Sequence, residues 1–325
     1  MKKTFAYRLN IFLFLLPALI LFIGILIAPI VMSLVYSFSE FSSISGSDMR
    51  FVGLENYRTL FSSMLVNPKN GNLFANDKYM GIALGNSLAL AALSVFIQLP
   101  LALIIALKLS KGIRGERFYL SVYFMPVLIS TVIIGRLWMN IYDPGAAGLL
   151  NAALRATGLD QKIFPWITSR ITSSKLPFTG QWTGFRETAL ISAFLPILWQ
   201  YVGYHMLLMY AGIKGVPKDL LEAASLDGCT EWQVNWHIIV PYIKPILRVS
   251  VIFAVTGSLK SFDLVYALMK DTTKAELPST LMYKLLFLNN RYGLGSAIAV
   301  VLIVLCFAFA LLINLAFRDR GEKVA

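Results

Sequence analysis

Six apolar runs, each about as long as a helix needs to cross a bilayer, restrict this sequence to a membrane fold. A hydrocarbon core takes about 20 consecutive apolar residues in a helix. Only 14% of the 325 residues are charged, whereas an ordinary soluble domain carries about a quarter. We therefore predict an all-α integral membrane protein with one transmembrane domain over residues 1–325. The six predicted spans are 10–36, 82–107, 118–141, 189–213, 246–269 and 297–317.

The first apolar run follows Lys2, Lys3 and Arg8, as the core of a signal peptide would. It is much longer than the 7–15 residues of a signal core, and no small-residue cleavage site follows it. We therefore expect this segment to remain in the protein as the first span.

The basic residues between the spans predict the orientation of the chain. The short loop 108–117, "KLSKGIRGER", has four positive residues in ten, and "FRDRGEK" lies near the end of the chain. Short loops rich in Lys and Arg face the cytoplasm. Both termini are therefore predicted to be cytoplasmic, and the long loops 37–81 and 142–188 to face outward from the plasma or inner membrane. The net charge of +12 then reflects membrane orientation, and no nucleic-acid partner is expected.

The sequence contains none of the common catalytic motifs. There is no GxxxxGKS or GxxxxGKT phosphate loop, no HExxH and no GxSxG. Cys229 and Cys306 lie far apart, as do His205 and His237, so neither pair has the spacing of a metal site. We expect a protein that is not an enzyme and that binds no cofactor or metal.

The most polar stretch between two apolar runs is "EAASLDGCTEWQVNWHIIVP" at 222–241, within the predicted cytoplasmic loop 214–245. Pro217 and Asp219 suit the first turn of a helix, where an acid is favoured by the helix dipole. Gly228 is placed to end that helix. These signals predict a first helix outside the membrane.

A second helix is predicted to follow directly. Thr230 and Gln233 have the spacing of a capping box, and Val240-Pro241 is expected to end the helix. An apolar stripe at i, i+4 and i+7 is formed by Trp232, Trp236 and Ile239.

The residues of this helical hairpin leave two interpretations open. The hairpin rests on lipid headgroups, with its Trp residues at the interface. Alternatively, it docks on a partner, with Ala223 and Ala224 allowing close approach and Glu222 pairing with a cation.

The same stretch resembles the EAA loop of permease subunits in bacterial binding-protein-dependent ABC importers. The matching positions are Glu222, Ala223, Ala224, Asp227, Gly228, Ile239 and Pro241. Two residues depart from the family pattern, since Cys229 replaces the usual Ala and Val240 the usual Leu.

The resemblance to maltose- and glycerol-phosphate-type sugar permeases extends over most of the chain. It departs at the extra polar stretch 168–187, which widens the second external loop, and again after Tyr266. The matching segments are 16–38, 51–61, 85–109, 116–154 and 259–269.

This resemblance implies a type I ABC importer permease fold and several partners. These are a second permease subunit, two ATPase subunits that hold ATP and Mg, and an extracytoplasmic solute-binding protein. The hairpin would then couple to the ATPase through Glu222, Ala223 and Ala224, with Asp227 and Gly228 at its turn.

Polar side chains inside the spans are the candidates for a substrate pathway, because such residues are costly in a membrane and often functional. Lys260, Asp263 and Tyr266 follow one another at three-residue spacing, which predicts one helical face and an ion pair. Aromatic rings and amides suit a carbohydrate, although helix packing is the alternative for Trp199 and Tyr204. The remaining candidates are Asn86, Trp199, Gln200, Tyr204 and His205, and Gln98 and Tyr201 are further polar residues in the same spans.

Three other functions remain as alternatives. A permease of this kind can carry a non-sugar cargo such as glycerol phosphate. An ion-coupled secondary transporter would favour intramembrane acids and an inverted repeat, but only Asp263 lies clearly within a predicted span and no repeat is visible. A membrane enzyme of lipid or glycan metabolism would need clustered His or acidic residues, which the sequence lacks.

Overall fold

The computed structural model describes residues 2–43, 45–65, 79–143, 148–156, 184–269 and 276–318. In these ranges the regular secondary structure is helical apart from two short strands, and turns and short irregular segments connect the elements. Of the extra polar stretch 168–187, residues 168–183 lie outside the described ranges.

Four helices of the described chain are straight, long and apolar enough to cross a membrane. Three of them follow the predicted boundaries closely, and the last begins at Tyr292 rather than at 297. We call them spans 1, 2, 4 and 6, and they run over Asn10–Tyr36, Met80–Leu109, Leu190–Lys214 and Tyr292–Ala316.

Span 3 was predicted as one helix over 118–141, and this is wrong. It consists of Glu116–Leu128 and Thr131–Ile141, which meet at 97°. Pro126 removes an amide from the last turn of the first helix, and the backbone becomes extended at Ile129, with φ −80° and ψ 138°.

Span 5 is shorter than predicted. Its helix, Lys244–Lys260, ends at Ser261, where ψ is 125°, and a separate helix Asp263–Met269 follows. At its other end, span 5 meets the helical segment Glu231–Tyr242 at 72°. The remaining helices are Glu55–Leu65, Leu149–Ala156, Lys218–Leu226 and Pro278–Tyr283.

Three of the four π turns in the described chain end two residues before a proline. Proline has no N–H, and its ring clashes with the carbonyl four residues earlier in an α-helix. The wider π turn pairs each carbonyl with an amide five residues on, and so it accommodates the proline without ending the helix. These turns are Phe22–Ile27 before Pro29, Ser94–Gln98 before Pro100 and Asn235–Ile239 before Pro241. The fourth is Lys284–Leu288.

Where the sequence predicts one domain, the described residues form two compact units. The first comprises Met1–Met80 and Leu281–Ile303. In it, strands Ser39–Glu40 and Arg50–Phe51 pair antiparallel, with Glu40 opposite Arg50.

The second unit comprises Gly81–Thr280 and Val304–Ala325. Its centre is span 4, against which span 2 and the first helix of span 3 pack. Gly203 permits this approach, because a Cβ there would lie 1.8 Å from the carbonyl oxygen of Tyr123. A buried apolar cluster lies where spans 2 and 4 meet residues 239–243. It includes Leu99, Ala102, Met206, Met209, Ile239 and Ile243.

Candidate functional site

The first helix of the predicted hairpin forms as expected over Lys218–Leu226, with Asp219 in its first turn. Gly228 has a φ of +72°, a left-handed conformation that glycine adopts without strain. Its amide donates to Ser225, and the amide of Cys229 donates to Ala224. The helix therefore ends in a hydrogen-bonded glycine cap, so the predicted end of the helix is confirmed.

The second helix begins with the predicted capping box. The amide of Gln233 donates to Thr230 Oγ1 at 3.4 Å, and the amide of Thr230 donates to Gln233 Oε1 at 2.7 Å. The predicted end at Val240-Pro241 is wrong, because the π turn before Pro241 lets the helix continue to Tyr242. We call residues 218–242 the coupling hairpin, after the role that the sequence predicts for it.

The first helix of the coupling hairpin has an inner and an outer face. Leu221 is half-buried and packs against the apolar cluster that contains span 4 residues, and Ala224 is buried. Ala224 was predicted at the contact with a partner, and this is wrong because its side chain faces the protein's own core. The outer face repeats at i, i+3, i+4 and i+7, and its exposed residues are Asp219, Glu222, Ala223 and Leu226.

Apolar surface remains exposed on the hairpin. Leu226 is 90% exposed, and Trp232 and Trp236 stack on each other with ring centroids 5.2 Å apart while remaining 68% and 43% exposed. Of the predicted stripe, only Ile239 is buried. Large apolar side chains clustered on a surface mark a contact with a partner or with lipid.

Polar contacts connect the hairpin and its surroundings to the ends of the spans. Lys111 Nζ lies 2.6 Å from Glu231 Oε2, across the loop that precedes span 3. Glu116 accepts a hydrogen bond from the hydroxyl of Tyr210 and lies 3.4 Å from Lys214 Nζ, at the end of span 4. The first contact therefore links the hairpin to the loop before span 3, and the second links the start of span 3 to the end of span 4.

A cavity of about 430 Å³ lies within the second unit, and we call it the polar cavity. Spans 2 to 5 contribute to its wall. Among the predicted pathway residues, four line it: Tyr204, His205, Lys260 and Asp263. His205 is 4% exposed, and within the described chain its Nδ1 has no hydrogen-bond partner.

The predicted arrangement of Lys260, Asp263 and Tyr266 on one helical face is wrong. The helix ends between Lys260 and Asp263, because Ser261 leaves the helical conformation. Both charged side chains still line the cavity, but the described structure contains no ion pair between them. Tyr266 is absent from the cavity wall and stacks on Phe262, with centroids 5.1 Å apart.

Three further predicted pathway residues lie outside the cavity wall. Asn86 Nδ2 donates to the carbonyl of Glu276 at 2.8 Å. Trp199 packs edge-to-face on Trp138 with centroids 6.3 Å apart, and Gln200 is buried, with Nε2 3.5 Å from Thr131 Oγ1. In this structure these side chains contact other parts of the second unit, as the packing alternative expects.

Several neutral polar side chains of the cavity were not among the predicted site residues. Ser94 and Gln98 are four residues apart in an otherwise apolar run, and this spacing is the signal that identifies a shared face. Ser94 Oγ lies 3.4 Å from Ser258 Oγ across the wall. Gln98 and Tyr201, which the sequence named as further polar residues of the spans, also line the cavity, and the polar members without any such prediction are Ser94, Thr131, Thr256, Ser258 and Ser261.

Residues 98–320 match the family model described as "Binding-protein-dependent transport system inner membrane component". This match covers more than half of the chain and includes the coupling hairpin and spans 3 to 6. The chain belongs to this family. It is therefore a multi-pass membrane permease component of an ABC importer and is not itself the ATPase, as predicted.

Two curated relatives resemble this permease over nearly its whole length. The probable ABC transporter permease protein YurN of Bacillus subtilis is 33% identical, over 96% of this chain and 97% of its own. The diacetylchitobiose uptake system permease protein NgcF of Streptomyces coelicolor is 29% identical, over 98% of this chain and 85% of its own.

A solved structure confirms the type I importer permease fold. It is a bacterial ABC transporter involved in the import of the acidic polysaccharide alginate, with a TM-score of 0.77 and 22% identity over 99% of both chains. The orientation of the termini is not determined by this likeness and stays a prediction. Among the described residues of this permease, no three His, Cys, Asp or Glu side chains come together as a metal site would require.

Proposed function

We propose that this permease carries a carbohydrate, in an ATP-driven importer that receives the sugar from an extracytoplasmic solute-binding protein. The observation that carries this proposal is the polar cavity enclosed by spans 2 to 5. The uptake of diacetylchitobiose by the system of one relative, and of alginate by the system with the same fold, supports a saccharide cargo.

The lining of the polar cavity suits hydroxyl groups better than a charged ligand. Gln98, Thr131 and Ser258 offer neutral donors and acceptors. The rings of Tyr201 and Tyr204 provide apolar faces with polar tips. One cation, Lys260, and one anion, Asp263, balance each other in charge. A sugar matches this mixture of apolar ring surface and neutral hydrogen-bonding groups.

Uptake measurements on variants of the cavity test the cargo. We expect Tyr204→Ala and Asp263→Asn each to reduce carbohydrate uptake about tenfold, equivalent to roughly 1.4 kcal/mol. Trp199→Phe is the matched control, because Trp199 lies outside the cavity wall, and its uptake should change little. The assay uses the importer in proteoliposomes and a panel of saccharides with glycerol phosphate. Unchanged affinity and rate in both variants, or transport of glycerol phosphate alone, contradicts a carbohydrate pathway through this cavity.

We further infer that the coupling hairpin binds an ATPase subunit. This chain has no phosphate loop of its own, and the outer face of the hairpin presents Glu222 and Ala223 beside the exposed Leu226. The complete importer then contains a second permease subunit and two ATPase subunits, which hold ATP and Mg. ATP-driven closure of the ATPase pair would move the hairpin and, through Glu231 and Glu116, the ends of the spans.

Leu226 should provide the largest apolar contribution to ATPase binding. Because its side chain is 90% exposed, Leu226→Ala should leave the stability of the permease unchanged. Binding of the ATPase subunit should weaken about tenfold, as expected for an anchor residue of an interface. Glu222→Arg should reverse a charge on the same face and uncouple ATP hydrolysis from uptake. Both effects are measured by co-purification and by transport-coupled ATPase activity.

The control is Leu220→Ala, which removes a 47% exposed leucine that lies off the outer face. A hairpin that rests on lipid headgroups instead would respond differently. In that case Trp232→Ala would weaken the contact of the hairpin with the lipid headgroups, while the Leu226→Ala and Glu222→Arg variants would bind the ATPase normally, and the docking proposal would be wrong.

A further inference from the structure

The first unit contains a second pocket, of about 420 Å³, which we call the strand pocket. It lies between the two short strands and the start of the span 6 helix. Its lining residues are Glu40, Phe41, Ser42, Asp48, Arg50, Asn56, Asn289, Asn290, Arg291, Gly293 and Leu294.

The walls of the strand pocket are held in place by hydrogen bonds and close packing. Asn56 is buried, and its Nδ2 donates to the carbonyls of Ser37 and Ser39, both at 2.9 Å. Gly293 lies so close to Ser39 that a Cβ would be 1.8 Å from its carbonyl oxygen. The amide of Tyr292 donates to the carbonyl of Phe41 at 3.3 Å. The pocket is therefore formed before any ligand arrives.

Two carboxylates and two arginines line this pocket, and both carboxylates accept hydrogen bonds from the protein itself. Asp48 accepts hydrogen bonds from the amide and hydroxyl of Ser42 and from the amide of Ser43. Glu40 Oε2 accepts from Arg50 Nη2 at 3.0 Å. A guanidinium has five N–H groups, so Arg50 retains donors for a ligand.

Two exposed amides add to these donors. Asn290 has a φ of +53°, and its Oδ1 accepts from the hydroxyl of Tyr292 at 3.4 Å. Asn290 is exposed and lines the pocket. Asn289 beside it is exposed. An arginine with adjacent amide donors recognises a carboxylate, to which a guanidinium binds in a bidentate manner.

The pocket offers no aromatic face on which a sugar ring could stack. Phe41 is its only aromatic lining residue in the described chain, and it is 8% exposed. Its ring is stacked on Tyr292 at 5.3 Å and contacted by the edge of Tyr36 at 5.2 Å. A protein side chain therefore fits this pocket better than a saccharide.

We propose that the strand pocket receives a carboxylate side chain from the extracytoplasmic solute-binding protein. This rests on the proposed function and on the predicted outward position of loop 37–81. The strands precede residue 98, where the match to the family model begins, as expected for a surface adapted to one partner. Arg50 with Asn289 and Asn290 forms the contact, and Asp48 holds the loop that carries it.

The test measures ATPase stimulation by increasing concentrations of the solute-binding protein, using the full importer in proteoliposomes. Arg50→Gln should raise the concentration for half-maximal stimulation about fivefold, as expected for an exposed charged contact. Asn290→Gly removes the amide and retains a residue that tolerates positive φ, and it should act in the same direction. The basal ATPase rate should stay unchanged in both.

Arg58→Gln is the matched control, because Arg58 is an exposed arginine of the same unit that does not line the pocket. The proposal is overturned if Arg50→Gln and Asn290→Gly shift the half-maximal concentration no more than Arg58→Gln does. It is also overturned if the shift occurs only with a binding protein loaded with an acidic saccharide, since the carboxylate then belongs to the cargo. If the unmodified importer is not stimulated at any concentration, the proposed function itself fails.

Discussion

Asp48 illustrates how an exposed carboxylate can organise a loop. The hydroxyl of Ser42, followed by the amides of Ser42 and Ser43, stabilises its charged form and lowers its pKa to about 2. An unfolded aspartate titrates near 3.8. The hydrogen bonds therefore favour the folded loop fully above pH 3.8, and this stabilisation is lost as the pH falls from there through about 2.

Hydrogen exchange tests this assignment at the residue scale. The amides of Ser42 and Ser43 should be fully protected at pH 5 and should lose part of this protection at pH 3, after correction for intrinsic exchange rates, because the stabilisation by Asp48 decreases below pH 3.8. Asp48→Asn removes the charged acceptor and should reduce protection at both pH values. Unchanged protection in the unmodified protein between pH 5 and pH 3 would show that Asp48 has the same pKa in the folded and the unfolded loop, and would contradict the depressed value.

At the scale of single residues, the hairpin sequence predicted the glycine cap at Gly228 and a contact role for Glu222, whose side chain is exposed. It did not separate Ala223 from Ala224, because two adjacent small residues give no polarity contrast and only the packing of the helix shows which one is buried. The pairing of Lys260 with Asp263 was inferred from spacing, which holds only while the helix continues. The helix ends at Ser261, and a single serine in an apolar segment does not predict the end of a helix.

At the scale of elements, span 4 depends on glycine where it meets span 3. Gly203 lies against the backbone of Tyr123, so that a Cβ would be 1.8 Å from its carbonyl oxygen. Small residues at such positions let membrane helices approach closely. Backbone cannot move aside as a flexible side chain can, and therefore this contact should tolerate no larger residue.

We expect Gly203→Ala to separate the two helices and to lower the free energy of unfolding by about 1–3 kcal/mol, the usual range for overpacking. Thermal unfolding in detergent and the yield of folded protein measure this effect. Gly24→Ala in span 1 is the control, because a Cβ there meets nothing within 4 Å. Equal thermal stability of the two variants would show that the approach at Gly203 is looser than described.

Apolar length predicted the straight spans well, because hydropathy reports how much chain lies in the membrane. It reports nothing about chain direction, and so it missed the 97° bend within span 3. The residues at that bend, Ile129 and Ser130, are neither glycine nor proline. The preceding Pro126 gave the one local sign of a weakened helix.

At the scale of the whole molecule, the two native cysteines provide a test of orientation. Cys229 is exposed at the turn of the coupling hairpin, and Cys306 is partly buried in span 6. If both termini are cytoplasmic, the hairpin faces the cytoplasm as well. The exposed Ser45 lies in the predicted outward loop between the strands.

A membrane-impermeant maleimide should label Cys229 in inside-out vesicles and leave it unlabelled in sealed right-side-out vesicles. A Cys306→Ala background restricts the signal to Cys229. Ser45→Cys in a background lacking both native cysteines should give the opposite pattern. Labelling of Cys229 from the outside would show that the topology is opposite to the predicted one. The ATPase and the solute-binding protein could then not bind on the sides of the membrane proposed for them.

The cavity was predictable only in part from sequence, because it combines residues from four spans. Polar residues within apolar runs identified Tyr204, His205, Lys260 and Asp263 as candidates. The same criterion selected Asn86 and Gln200, whose amides contact other parts of the second unit. Which polar side chain faces a cavity depends on the rotation of each helix about its axis. This rotation cannot be read from one sequence when most faces of the helix are apolar.

The π turn before Pro100 affects that rotation directly. It places one additional residue in the turn, and in an α-helix one residue corresponds to about 100° of azimuth. Leu90, Ser94, Gln98, Ala102 and Ala106 are all buried and follow one another at intervals of four, a spacing that would drift around a regular α-helix. The additional residue of the π turn compensates most of this drift and keeps them on one side of span 2. Span 2 thus behaves as two helical segments with different angular settings, joined end to end. In a relative without a proline at this position, the same residues would be expected on a different side of the helix, and aligned sequences would have to be compared with that offset.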